Sequence, residues 1–283
     1  MIGGFVKTDV QAWGGRDCCR LLFRGTDVRS PYIGRPDMWD DDGPTVPVEN
    51  VLSYMAGRKT LEGAVLTGEP LRDPEAASVL SKIKKLRIPA RIETYGTRPD
   101  ALDDVAGALL AKDVLITLAA SPFSDSFPKA MPGADPKAVI RTLEMTSGLD
   151  ISSEVEIYAI PGAVAPEDIS DIAGCVGKNT VLTIRQFRPE TAPDPEARKI
   201  KPYKRADASA LRAAATGFTR KVALKGFRLH LVKSSTRAFA TALSPREPSL
   251  PHTSRPSSSA NFFTADTVLE SVDIIPTECP HSV

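Results

Sequence analysis

Short apolar or β-branched segments alternate with helix-start signals between residues 19 and 225, and this alternation limits the possible fold more than any other feature. Segments of that kind are typical of buried parallel strands. Asp135-Pro136 and Ala165-Pro166 mark helix starts, and Asp73 is expected to cap a helix that begins at Pro74. The pattern predicts an α/β protein with a parallel sheet, arranged either as a closed or partly closed barrel or as an open doubly wound sheet. The predicted strands cover residues 19–23, 63–67, 90–94, 114–118, 155–160, 181–185 and 221–224.

The sequence lacks the motifs of several common enzyme classes. No G-x-G-x-x-G follows the first predicted strand, no G-x-S-x-G is present, and no Walker-type phosphate loop occurs. The formal net charge of +1 gives no indication of nucleic-acid or membrane binding, and no apolar segment is long enough to span a membrane. The first residues lack the apolar core of a signal peptide, so the expected location is cytoplasmic.

The alternating pattern ends near Phe227, and the composition of the chain changes there. Residues 244–260 are rich in serine and proline, which is typical of segments that form no core. We therefore expect a barrel of residues 1–227 and a largely disordered tail of residues 228–283. Residues 268–275 are apolar, and they are compatible with either an added strand or a loose end.

The residues that bind metals most often are few and unfavourably spaced. The four cysteines, Cys18, Cys19, Cys175 and Cys279, show no zinc or cluster spacing, and all three histidines lie in the last quarter of the chain. Free thiols in a reducing compartment are the favoured interpretation, so no metal site is predicted. The run 40–42 of three aspartates is interpreted as a solvated acidic turn rather than a metal site.

Six segments, taken in chain order, share a pattern with one enzyme family. The window 23–39, FRGTDVRSPYIGRPDMW, has the frame of an iron–sulfur loop, in which Thr26, Ser30 and Ile33 stand at the spacing of a C-x3-C-x2-C motif. The other segments are IGGFVKT, TGEP, ETYGT, IPG and QFRPE. Together they resemble radical S-adenosylmethionine (SAM) activating enzymes, specifically the activases of anaerobic ribonucleotide reductase. The resemblance covers roughly residues 2–227 and implies a partial (β/α)6 parallel barrel of radical-SAM type.

The chain departs from this family where the family binds its cofactors. Three cysteines of the family hold a [4Fe-4S] cluster, which binds and reductively cleaves SAM, and Thr26, Ser30 and Ile33 supply no ionised sulfur. Thr67 replaces a glycine that tolerates positive φ. The run 117–119 lacks the charges of a D-x-K pattern, and Glu156 stands where a basic contact is implied. We therefore expect no resident cofactor and disfavour a [4Fe-4S] cluster, while SAM stays open as a ligand.

Polar residues at the predicted strand ends form a candidate ligand pocket, because the loops of such barrels converge there. Their arginines suit a small polar or anionic ligand with a carboxylate or phosphate group. The structural alternative is that Arg185 or Arg91 merely neutralises Glu69 and Glu93. No catalytic residue is assigned. The proposed pocket residues are Thr67, Gly68, Glu69, Pro70, Glu93, Arg185, Gln186 and Arg188.

These observations favour a ligand- or partner-binding pseudoenzyme that kept the barrel and lost the family's activity. By analogy with the family, a large partner of the glycyl-radical type is plausible, although fold alone does not establish function. The alternative is an active enzyme, either a radical-SAM activase with unusual cluster ligation or another SAM-dependent enzyme. Loss of the thiols by drift rather than selection is the remaining explanation.

Overall fold

The computed structural model describes residues 1–219 and 221–227, which form one eight-stranded sheet with helices. The strands follow one another across the sheet in chain order, β1 antiparallel to β2 and all later neighbours parallel. A doubly wound sheet reverses its strand order at one point, whereas this order never reverses and is that of a barrel wall. The predicted parallel α/β class is confirmed, and the predicted tail of residues 228–283 lies outside the described residues. The strands are β1 (Ile2–Asp9), β2 (Cys18–Phe23), β3 (Gly63–Thr67), β4 (Ala90–Thr94), β5 (Asp113–Leu118), β6 (Ser152–Ala159), β7 (Val181–Gln186) and β8 (Lys221–Lys225).

Seven α-helices lie within the described part of the chain, and two of the predicted starts carry side-chain caps. The Asp135 carboxylate accepts a hydrogen bond from the N–H of Lys137 (3.0 Å), and Asp168 accepts one from the N–H of Ala165 (2.7 Å). Within residues 1–219 and 221–227, no helix is long and apolar enough to cross a membrane. The helices are α1 (Val48–Gly57), α2 (Ala76–Lys85), α3 (Pro99–Gly107), α4 (Phe127–Ala130), α5 (Pro136–Met145), α6 (Pro166–Cys175) and α7 (Arg205–Ala214).

The prediction that Asp73 caps a helix beginning at Pro74 is wrong, because α2 begins at Ala76. The Asp73 carboxylate accepts a hydrogen bond from the N–H of Glu75 (2.9 Å) and also pairs with the amino group of Met1. These contacts hold Asp73 in the turn that precedes the helix.

The two faces of the sheet differ sharply in polarity. One face carries residues such as Leu21, Ile92 and Ile157, which are fully buried and belong to the same apolar cluster as Leu80 and Ile172 of the covering helices. The opposite face, which we call the polar face, carries polar and charged residues that neighbour one another in register. Arg91 lies beside Asp113, and Tyr158 lies beside Arg185. Side chains alternate along a strand, so each strand contributes to both faces.

The amino-terminal end of the polar face is covered by the connection between β1 and β2. Trp13 of this connection forms a small apolar cluster with Ala12, Cys18 and Val65. Arg16 lies over the Trp13 ring at 4.5 Å from its centroid. This connection closes the amino-terminal edge of the polar face.

Candidate ligand-binding site

The carboxyl ends of the parallel strands share one edge of the sheet, and a long loop covers it. This loop, residues 24–44, follows β2 and is called the mouth loop here. The N–H groups of Gly25 and Thr26 donate to the carbonyls of Met38 (3.0 Å) and Trp39 (3.1 Å). The two ends of the mouth loop are thus joined by backbone hydrogen bonds, which fix its outline.

The mouth loop also contacts elements around the edge. The N–H of Arg29 donates to the carbonyl of Pro132 (3.1 Å), in the connection between α4 and α5. The Tyr32 ring lies edge-on to Phe187, just after β7, with 6.0 Å between the ring centroids. The loop consequently joins segments from distant parts of the sheet.

The three positions with cluster-ligand spacing serve the mouth loop itself. The Thr26 hydroxyl accepts a hydrogen bond from the N–H of Val28 (3.1 Å), and the buried Ser30 hydroxyl accepts one from the N–H of Tyr32 (3.2 Å). Both contacts are hydroxyl-to-backbone turns. Ile33 is buried in the main apolar cluster. Two hydroxyls and a hydrocarbon do not fit a cluster that is held by three thiolates.

The thiols within the described part of the chain lie away from the mouth loop. Cys18 and Cys19 open β2, and Cys18 stands about 16 Å from Phe23 at the carboxyl end of that strand, by the usual strand rise. Burial raises the pKa of Cys18 to about 11 and that of Cys19 to about 12, so both are protonated near neutral pH. Cys175 ends α6, and Cys279 lies outside the described residues.

A buried arginine supports the mouth loop from inside. Arg24 is 9% exposed, and its guanidinium donates to the backbone carbonyls of Asp37 (2.8 Å), Asp42 (3.0 Å) and Pro44 (3.1 Å). Five donors in a fixed plane allow one arginine to satisfy several carbonyls at once. Arg24 thereby holds the second half of the loop against the end of β2.

The acidic turn of residues 40–42 is exposed, in accordance with its interpretation from the sequence, and it is paired with arginines. Asp40 pairs with Arg29 (2.6 Å), and Asp41 pairs with Arg72 (2.7 Å). Hydrogen bonding to Arg72 lowers the pKa of Asp41. Within residues 1–219 and 221–227, no group of three or more His, Cys, Asp or Glu side chains could hold a metal ion.

The TGEP turn after β3 has an unusual backbone. Thr67 is the last residue of the strand, and the positive φ angles fall on Gly68 (84°) and Glu69 (62°). The expected strain at Thr67 is therefore absent, because extended backbone accepts threonine. At Gly68 a Cβ atom would lie 2.3 Å from the carbonyl oxygen of Phe23, so only glycine lets the ends of β2 and β3 approach this closely.

Glu69 links the turn after β3 to the turn after β4. Its side chain is buried, and its carboxylate accepts hydrogen bonds from the N–H of Tyr95 and from the hydroxyl of Thr97 (3.1 Å). Burial raises the pKa of Glu69. Neutral hydrogen-bond donors satisfy Glu69, and neither Arg185 nor Arg91 pairs with it, contrary to the structural alternative.

Glu93 and Arg185 both lie on the polar face, and each has an ionic partner that the sequence did not assign. Glu93 pairs with Arg20 (3.4 Å). Arg185 Nε lies 2.7 Å from Glu156 Oε1, although Glu156 was expected to repel a cofactor carboxylate. Lys225 lies 3.7 Å from the other oxygen of Glu156. Arginine and lysine thus neutralise the negative charge of Glu156, which removes the physical basis for that expectation.

Gln186 and Arg188 do not join this group. Gln186 follows Arg185 directly on β7 and therefore lies on the opposite face, where its amide donates to the carbonyl of Tyr203 (3.0 Å). Arg188 is exposed and pairs with Glu190 (3.0 Å). The structure brings together Gly68, Glu69 and the turn after β4, whereas Glu93 pairs with Arg20 and Arg185 pairs with Glu156.

Four residues of the polar face, the mouth loop and the turn after β4 were missed by the sequence analysis, namely Arg20, Trp39, Tyr95 and Tyr158. Arg20 and Tyr158 share a face with Glu93 and Arg185, and strand register could have revealed this, since residues of one parity face the same side. Trp39 and Tyr95 had been used only to support the family resemblance. The closeness of Trp39 and Tyr95 depends on the path of the mouth loop. Strand pairing does not determine that path, so the sequence pattern could not predict it.

Comparison with known proteins gives one relative that is similar in sequence over most of the chain. No family model matches the chain. A protein of Methanocaldococcus jannaschii, whose name describes it as a glycyl-radical enzyme activating enzyme, is 25% identical over 209 residues, which cover 71% of this chain and 85% of that protein. The sequence resemblance stated above is confirmed by this relative.

Solved structures show the same fold at low sequence identity. TYW1 with a lysine-pyruvate adduct bound aligns with a TM-score of 0.54 and 11% identity over 71% of this chain and 74% of its own. SuiB of Streptococcus suis bound to S-adenosylmethionine aligns with a TM-score of 0.55 and 15% identity over 73% of this chain and 51% of SuiB. Its complex with the precursor peptide SuiA aligns with a TM-score of 0.56 and 15% identity over 72% of this chain and 47% of SuiB.

These relatives contradict the expectation that no cofactor is bound and that a [4Fe-4S] cluster is disfavoured. Radical SAM relatives bind both a [4Fe-4S] cluster and SAM. The expectation was wrong because it was drawn only from single side chains at the strand ends, such as Thr26 and Ser30, and took no account of the similarity along most of the chain. The chain has the α/β fold of radical SAM enzymes and is similar in sequence to a glycyl-radical enzyme activating enzyme.

Proposed function

We propose that this chain binds SAM at the carboxyl ends of its strands and acts on a polypeptide partner by binding, as a pseudoenzyme of the activase type. The observation that carries the proposal is the junction of the mouth loop with the turns after β3 and β4. At this junction the glycine-dependent approach at Gly68 is kept, while Thr26 and Ser30 are engaged in backbone turns.

The charges next to this junction suit the amino-acid part of SAM. Arg20 pairs with Asp9 and Glu93, and Arg185 pairs with Glu156, so cationic and anionic groups neighbour one another on the polar face. Such an arrangement complements a zwitterion, which carries one ammonium and one carboxylate group, better than it complements a simple anion. Arg185 also lies over the Tyr158 ring, at 5.8 Å from its centroid, which limits the positions open to its guanidinium.

A polypeptide partner is supported by the relatives rather than by a contact in this chain. The name of the M. jannaschii protein refers to activation of an enzyme, and SuiB has been solved with its precursor peptide. A large protein of the glycyl-radical type is the partner that this similarity favours. A catalytic role as an activating enzyme is the second candidate function, and the name of the same relative favours it.

Calorimetry and product analysis separate the two functions. We expect anaerobically purified full-length protein to bind SAM saturably and to form no 5′-deoxyadenosine when dithionite is added. Arg185→Gln should weaken SAM binding, because it removes the cation beside Glu156 on the polar face. Arg188→Gln is the matched control, since Arg188 is exposed beside Glu190 and should leave the affinity unchanged.

Each outcome has a clear meaning for the proposal. No heat on addition of SAM to the wild-type protein would overturn SAM binding at the strand ends. Iron in the protein together with 5′-deoxyadenosine formation would establish the catalytic function instead. A glycyl-radical enzyme is expected to co-purify with the tagged chain. An excess of untagged chain should compete for this partner and abolish the co-purification.

A further inference from the structure

Two cationic side chains stand side by side at the carboxyl ends of the last two strands. Arg185 of β7 and Lys225 of β8 are paired in register, and we call them the cation pair. Tyr158 of β6 is the register neighbour of Arg185 on its other side. Neighbouring strands lie about 4.8 Å apart, and like charges directly opposite one another are destabilising unless other groups compensate them.

The compensating carboxylates are buried, whereas the cation pair is open. Arg185 Nε lies 2.7 Å from Glu156 Oε1. Lys225 Nζ lies 2.8 Å from Glu154 Oε1 and 3.7 Å from Glu156 Oε2. The side chain of Glu156 is 4% exposed and that of Glu154 is 13% exposed. The side chains of Arg185 and Lys225 are 37% and 43% exposed, so a ligand that approaches this end of the polar face meets positive charge first.

Arg185 has hydrogen-bond donors available for a ligand. Its Nε is buried against Glu156, while its Nη groups make no hydrogen bond within residues 1–219 and 221–227. The Tyr158 ring, whose centroid lies 5.8 Å from Arg185 Cζ, limits the orientation of the guanidinium. A planar guanidinium with free Nη groups matches the two oxygens of a carboxylate, and the ammonium of Lys225 beside it adds a second positive charge.

The cation pair lies within electrostatic range of the junction assigned to SAM. Burial raises the pKa of Tyr158, and the charges of Glu93 on β4 and Arg20 on β2 also act on its phenol. Burial likewise raises the pKa of Tyr95 in the turn after β4, and Tyr158 is among the groups that add to this shift. Such effects weaken with distance, so these side chains surround one common space. Glu69 joins the same turn after β4 to the turn after β3.

We propose that Arg185 and Lys225 bind the carboxylate of the methionine part of SAM. This inference rests on the proposed function and deepens it, because it assigns one group of the ligand to two named residues. It gives a binding role to Lys225, which belongs to the last strand of the sheet. The buried carboxylates of Glu154 and Glu156 hold the two cations in register, so that the ligand carboxylate meets a site that is already formed.

Calorimetry with SAM and with decarboxylated SAM tests the site. Decarboxylated SAM keeps the adenine, the sulfonium and the amino group but lacks the carboxylate. Lys225→Gln should weaken SAM binding about 3- to 10-fold, which lies between the effect of an exposed ion pair and that of a charged hydrogen bond. The same variant should bind decarboxylated SAM as well as the wild-type protein does. Arg185→Gln should show the same selective loss.

Two further variants serve as controls. Lys221→Gln is the matched control, because Lys221 lies on the same strand and the same face, about 13 Å before Lys225 by the usual strand rise. Its affinity for SAM should equal that of the wild-type protein. Lys225→Arg keeps the positive charge and should retain most of the affinity. A general folding defect would lower the affinity for both ligands, so it cannot imitate the selective loss expected here.

The failures of the two proposals can be told apart. The carboxylate site is overturned, with the proposed function left standing, if the wild-type protein binds SAM and Lys225→Gln binds it equally well. Equal weakening of SAM and decarboxylated SAM by Lys225→Gln also overturns the site, because the lost contact is then not one with the carboxylate. Wild-type protein that does not bind SAM overturns the proposed function and, with it, this inference.

Discussion

Replacement of Arg91 by methionine tests the charge network of the polar face. The Arg91 side chain is 6% exposed, and its guanidinium lies 2.6 Å from Glu154 and 3.2 Å from Asp113. The contact with Glu154 is a hydrogen bond, whereas the contact with Asp113 is an ion pair without hydrogen-bond geometry. Removing one member of a buried ionic group costs about 3–5 kcal/mol, because the remaining charge stays buried without its partner.

The size of this loss depends on which carboxylate is left alone. Glu154 keeps hydrogen bonds from Thr183 (2.6 Å) and Lys225 (2.8 Å), and against the effect of burial these bonds, with those of Arg91, lower its pKa to about 2. Asp113 has no other ion pair within the described residues, and burial raises its pKa to about 6 although Arg91 opposes the shift. The cost therefore falls mainly on Asp113, and we expect about 3 kcal/mol for Arg91→Met near pH 7.

Urea unfolding, monitored by circular dichroism at two pH values, measures the decrease in the free energy of unfolding caused by Arg91→Met. Protonation of Asp113 removes the unpaired charge, so the loss should shrink at about pH 5, below the folded pKa of Asp113. Arg141→Met is the matched control, because Arg141 is 57% exposed, pairs with an exposed aspartate and should change the free energy of unfolding by less than about 1 kcal/mol. An Arg91→Met protein as stable as the control, or a loss that grows at acidic pH, would refute the argument.

Two further changes probe the site and the network. Gly68→Ala should lower the free energy of unfolding by at least about 2 kcal/mol, because its Cβ would lie 2.3 Å from the Phe23 carbonyl oxygen. The control is Gly162→Ala, which has a φ of 83° and an open Cβ position. It should lower the free energy of unfolding by about 1 kcal/mol in the same urea assay. The raised pKa of Asp113 means that its favourable contribution is present below about pH 4 and is lost as pH rises through about 6. The free energy of unfolding of the wild-type protein should therefore fall by up to about 3 kcal/mol over that pH range, and Asp113→Asn should not show this decrease. Equal pH profiles of the two proteins would contradict this.

The seven strands β2 to β8 were predictable because each contains a short apolar or β-branched segment, whereas β1 (Ile2–Asp9) was not among the predicted strands. Residues such as Ile92 and Ile184 face the helices on one side of the sheet, and their burial is evident from composition alone. The helix starts with proline were predictable for the same local reason, except at Asp73, where a distant amino group competes for the carboxylate. Local signals therefore suffice wherever a single segment determines the outcome.

The polar face was harder to predict because its contacts join residues far apart in the chain. Glu93 pairs with Arg20, and Glu154 pairs with Arg91 and Lys225, over sequence separations of 63 to 73 residues. The partner of each charge depends on strand register, and several arginines were equally eligible from sequence alone. Arg185 was assigned correctly to the strand ends, although Glu156 was not recognised as its partner.

The positions that depart from the family pattern differ in the local contacts that surround them. Thr67 lies in extended strand, so it imposes no strain. Ala119 is fully buried, and its N–H lies 3.3 Å from Met131 Sδ, so the lost charge at this strand end is replaced by packing. Thr26 and Ser30 hold turns of the mouth loop.

Each of these substitutions is satisfied by its local contacts, with a hydrogen bond, a packed surface or an allowed backbone. Drift in an unselected chain would instead leave buried polar groups without partners and cavities where larger side chains had been. The one buried donor at the mouth loop that lacks a partner is Trp39 Nε1, among the residues that the structure describes. The local contacts of Thr26, Ser30 and Ala119 therefore fit a chain that is still selected to fold.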